Sequence, residues 1–182
     1  GVLQSNASSL AGNIENDGIV LFTGGTNDNE IAGSGNLAVS YGDVINSASI
    51  SQSTVAISGG TSLETNAGLL TVADQIVNDG TLTFTGGINN NDITGAGNME
   101  NTGTVTNNGI IDLQGSFSVT SGTFTNNGEI TAINMFVSNG ATLLTRNMLD
   151  TYTAGGAIYN DGLLQVDVDS TTATVDNANL LT

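Results

Sequence analysis

The chain contains no Cys, no Pro, no Trp, no His and no Lys, and Arg146 is its only basic residue. Each absence removes a class of chemistry. Without Cys there are no disulfides and no thiolate metal sites. Without His, neither a Ser-His-Asp triad nor a His-based zinc site can be built. Without Lys there is no Schiff base and no phosphate-binding loop lysine. Seventeen Asp and Glu face the single Arg, for a net charge of -16. Binding to nucleic acid or to an anionic membrane surface needs cations to meet phosphate, so the charge argues against both as partners. No apolar run approaches the ~20 residues that span a bilayer. The N-terminal GVLQSNASSL has neither the charged region nor the apolar core of a signal peptide.

What is abundant is Gly (25), Asn (24), Thr, Ser and small aliphatics, with 38% of residues hydrophobic. The hydrophobic residues recur in order, which argues against disorder. NDGIVLFTGGTNDNEIAGSGNL, from Asn16 to Leu37, returns as NDGTLTFTGGINNNDITGAGNM, from Asn78 to Met99, an offset of 62 residues. A shorter unit recurs inside it: an apolar residue, a spacer, Asn, Asn or Asp, Gly, a spacer, an apolar residue. Its apolar pairs are Ile14 and Val20, Ile76 and Leu82, Val105 and Ile111, Phe124 and Ile130, and Ile158 and Leu164. Gly accepts positive φ and Asn tolerates it, so Asn-Asp-Gly and Asn-Asn-Gly mark tight turns. The flanks alternate with period two, as half-buried strands do.

Asn-Gly turns also suit antiparallel hairpins. A hairpin fold, however, has no reason to repeat its sequence, whereas stacked coils require like turns above like turns. The prediction is an all-β parallel β-helix (β-solenoid) with coils of about 20 residues, 62 residues making three coils and the chain making about nine. Residues 1–182 read as a single solenoid domain, whether complete or a segment of a longer rod. The ends, GVLQS and ATVDNANLLT, read as strands without a cap, which predicts end-to-end self-association.

GTLTFTGG (Gly80 to Gly87) with DITGAGNM (Asp92 to Met99), and LFTGG (Leu21 to Gly25) with EIAGSGNL (Glu30 to Leu37), resemble the passenger regions of bacterial autotransporters and related large surface adhesins. The resemblance covers about half the chain well. It implies a right-handed β-helix, export, and an extracellular or bacterial cell-surface location. The membrane-anchoring barrel that ends such proteins is not in this sequence.

Candidate chemistry is sparse, and no enzyme activity is expected. Asp167 and Asp169 in QVDVDS share one face if that stretch is a strand. Two carboxylates can cleave a glycan, but an exposed polar face is the simpler reading. The eight aromatics fall mainly on the apolar side of strands and read as core. No cofactor is required; calcium is the one the residues suggest, through Asp28, Glu30, Asp92, Asp167 and Asp169. GGTNDNEI and GGINNNDI distantly resemble calcium-binding Gly-rich nonapeptides, with Asn27 and Asn89 in place of Gly and Asn29 and Asn91 in place of Asp. The same segments, Thr26, Asn27, Asp28, Asn29 and Glu30 together with Ile88, Asn89, Asn90, Asn91 and Asp92, read as loops projecting from the rod. They are the candidate contacts for a ligand on a host or neighbouring cell. The leading functional expectation is an extracellular structural rod that forms or extends a surface fibre. A monomeric adhesin segment is the alternative, and a glycan-cleaving β-helix comes third.

Overall fold

A computed structural model describes residues 1–151 and 156–166, together with the backbone of Thr174–Asn177 and Leu180–Leu181. Strands dominate it, and every strand pairing among the described residues is parallel. The chain winds into a β-solenoid of about eight turns, with coils of ~19 residues.

Each coil has three faces. On the second face Leu3, Val20, Leu37, Val55, Ile76, Ile93, Ile111, Ile130 and Leu149 pair in turn. The spacing along this column runs from 17 residues, Leu3 to Val20, to 21, Val55 to Ile76. On the third face Val44, Leu63, Leu82, Met99, Phe117, Met135 and Ile158 form the matching column. The first face carries Ile14, Ile31, Ile50 and Leu70, then Gly87, Val105, Phe124, Leu143 and Leu164.

The core follows from alternation. A strand turns successive side chains to opposite faces, so the apolar member of each alternating pair enters the rod and stacks on its counterpart one coil away. All five predicted apolar pairs face inward, and only Ile14, near the rim, is less than fully buried. Phe117 and Phe124 meet edge to face, with centroids 4.9 Å apart.

The 62-residue repeat is not three coils. Ile14 pairs with Ile31, Ile31 with Ile50 and Ile50 with Leu70, which completes three coils on one face. The repeat partner of Ile14 is Ile76, six residues further on, in the column of the next face. The duplicated segment is therefore rotated by one face, and 62 residues span three and a third coils. The irregular spacing of the turns has the same origin. Asn16, Asn107 and Asn126 lie where the first face meets the second. Asn78 lies where the second meets the third, and Asn160 where the third meets the first. One local sequence serves all three corners.

Candidate functional site

The segments predicted to project as loops do not project. Thr26 and Asn27 end the strand Gly25–Asn27, and Ile88 and Asn89 end the strand Thr81–Asn89. Both segments are corners of the coil. Asn27 and Asn89 are completely buried and Asn91 nearly so, while Thr26 and Asn29 are half-buried. Only Asp28, Glu30, Ile88, Asn90 and Asp92 face solvent. The reason is hydrogen bonding. The Nδ2 of Asn29 donates to the Leu10 carbonyl at 3.1 Å, and that of Asn91 to the Leu70 carbonyl at 3.1 Å. Asparagines that replace the Gly and Asp of a calcium loop are thus drawn onto the neighbouring coil.

Two ladders of buried amides begin at these corners. Asn27 Nδ2 donates to Asn46 Oδ1 (2.7 Å), and Asn46 Nδ2 to Thr65 Oγ1 (3.0 Å). At the adjacent corner Asn89 donates to Asn107 (2.7 Å), Asn107 to Asn126 (2.8 Å), and Asn126 to Thr145 Oγ1 (3.1 Å). Each of these asparagines gives its other amide proton to the carbonyl two residues on, such as Asn107 to Gly109 and Asn126 to Gly128, both at 2.7 Å. Both donors of every ladder amide are used, as burial of a polar group demands.

Carboxylates are spent in a similar way. Asp17 Oδ1 accepts the backbone N–H (3.1 Å) and hydroxyl (2.9 Å) of Ser34 in the next coil. These two bonds, the backbone one first, hold its carboxyl below the ordinary Asp value. Asp79 accepts the N–H of Ala96 at 2.9 Å, and Asp92 that of Ile110 at 2.8 Å. Glu30 accepts from Asn13 at 3.4 Å.

No known protein family, curated protein or solved structure matches this chain.

The calcium candidates are not brought together. Asp28 and Glu30 sit at one corner and Asp92 at another, and Asp167 and Asp169 lie outside the described residues. Among the described residues, no three His, Cys, Asp or Glu side chains gather into a cation-holding group. Arg146 continues an exposed ladder running Asn90, Asn108, Asn127, and its Nη1 donates to Asn127 Oδ1 at 3.1 Å.

Reading the aromatics as core holds for Phe22, Phe84, Phe117 and Phe124 but not for Tyr41, Phe136 and Tyr159, which are exposed; Tyr152 lies outside the described residues. Phe136 and Tyr159 stack on the outside of the rod with centroids 5.0 Å apart. The signal was in the sequence: Met135 and Val137 take the inward positions, which leaves Phe136 outward.

Proposed function

We propose that the chain is a rigid, acidic structural rod that extends a fibre on the outside of a bacterial cell. One observation carries the reading. The polar residues most suited to building a site, the corner asparagines and the Asn-Asp-Gly aspartates, are engaged in bonds between successive coils. Their chemistry serves stacking. The resemblance to surface adhesins supports an exported location.

Electron microscopy of the purified protein over a dilution series, with and without a calcium chelator, tests this. Filaments that grow by whole rod lengths support the fibre, and their loss with chelator adds calcium at the joints. Single short rods at every dilution favour the adhesin segment instead.

A further inference from the structure

One stretch of the rod surface differs from the rest. Along the first face, Val105, Asn107, Phe124, Asn126, Leu143 and Thr145 point inward and are buried. Alternation therefore turns Thr104, Thr106, Thr123, Thr125 and Thr142 outward. Thr104 pairs with Thr123 and Thr123 with Thr142, while Thr106 pairs with Thr125. No register shift interrupts these rungs. The hydroxyls form a grid with a step of about 4.8 Å along the rod and roughly 6.7 Å along the strand, two residue rises.

We propose that this threonine grid binds the ordered surface of ice. Three observations carry the inference. First, none of the five hydroxyls has a side-chain hydrogen-bond partner among the described residues, so each presents a free donor and acceptor beside its methyl group. Second, this stretch carries no carboxylate. Its other outward positions are Ile88, Leu144, Leu163 and Gln165, with Arg146 at its edge, whereas the same face carries Glu15 near the N-terminus, the second face Asp112 and Asp150, and the third Glu64 and Glu100. A carboxylate orders water around itself and disrupts a lattice. On a chain of net charge -16, this is a surface ice can approach without meeting one. Third, the backbone of the grid is tied from beneath by the Asn107, Asn126 and Thr145 ladder, which lowers the ordering cost of binding. Its two steps lie close to the oxygen repeats on the prism face of hexagonal ice.

A second copy of the chain is the other candidate occupant, and size decides against it. Four residues by five coils cover on the order of 300 Å², against roughly 800 Å² a side in a stable protein interface.

The test is inhibition of ice recrystallisation by the whole chain, compared with Thr125→Glu and Thr106→Glu on the grid and Ala56→Glu on the second face, with folding checked by circular dichroism. The expected result is that the wild type and Ala56→Glu suppress grain growth, while a folded grid variant needs about tenfold more protein, equivalent to about 1.4 kcal/mol of binding. A wild type without effect on grain growth overturns the proposal, whatever the variants do. Loss of activity in folded Ala56→Glu, or full activity in a folded grid variant, overturns it as well. So does sedimentation as a dimer that Thr125→Glu dissociates, which would assign the face to a second copy.

Discussion

Asn107 and Asn126, nineteen residues apart, lie one above the other inside the rod, and the amide of the first donates to the amide of the second at 2.8 Å. That bond links a corner to its counterpart in the next coil, and its energetic weight can be measured. In Asn126→Ala, an Asn107 proton and the Gly128 carbonyl lose their partner inside the protein. A buried polar group left unpaired costs about 1–3 kcal/mol, so urea unfolding should show a loss of about 2–3 kcal/mol. Asn127→Ala, in the exposed ladder next door, should stay within about 0.5 kcal/mol. Equal effects at the two positions would contradict a ladder that acts through burial.

Glycine at the corner is required by the approach of successive coils. A Cβ on Gly128 would lie 2.0 Å from the carbonyl oxygen of Gly109. Gly128→Ala must push the coils apart, and a loss of about 2–3 kcal/mol is expected by thermal or urea unfolding. Gly140, in the turn Ser138 to Ala141, meets nothing within 4 Å but has φ +80. Its substitution by Ala should cost only the left-handed penalty, about 1–2 kcal/mol.

Asp17 gives the rod a defined response to acid. Its carboxyl is held below 3.8 by bonds to Ser34. A lowered folded pKa means that the contribution is present above the unfolded value and is lost as pH falls through the folded one. The wild type should therefore be more stable than Asp17→Ala near neutrality. The gap should close as pH drops below 3.8. Urea midpoints for both proteins over that range test the sign, and a constant gap would rule out the Ser34 bonds as the cause.

Trypsin has one target, the bond after Arg146. The Arg146 N–H donates to the Asn126 carbonyl at 2.9 Å, and the Met148 carbonyl accepts from Ile130 at 3.0 Å, so both sides of the bond are tied to the coil. Cleavage needs local opening. Native protein should resist trypsin under conditions that cut the urea-unfolded chain into two fragments.

The architecture was legible because a solenoid writes its coil into the sequence. Phe124 and Ile130 flank an Asn-Asn-Gly corner, and both fall in the core. The phase was not legible. Nothing local distinguishes the corner at Asn16 from the corner at Asn78, because all three corners accept the same residues. Only the pairing partners reveal that Ile14 and Ile76 belong to adjacent columns. The candidate loops failed for a related reason. Asn27 and Asn89 look solvent-seeking in isolation, and their burial depends on Asn46 and Asn107, a coil away in sequence. Phe136 looks like core by hydrophobicity alone, but alternation with the inward Met135 and Val137 sets it on the outside.

The core is dense enough that a single charge should destroy it. Phe124 is fully buried against Phe117. Phe124→Asp removes the ring, about 3–5 kcal/mol of packing, and leaves a carboxyl group that must be protonated or draw water into the core, at a further cost of several kcal/mol. Circular dichroism should show no cooperative β transition, and an intact β spectrum would contradict the stacked core.

A rod that extends by stacking must change its size with concentration. Sedimentation velocity over a wide concentration range measures this most directly. The expected result is a series of species at whole-number multiples of the 18.3 kDa chain, shifting to longer members as concentration rises. A single 18.3 kDa species at every concentration would contradict it.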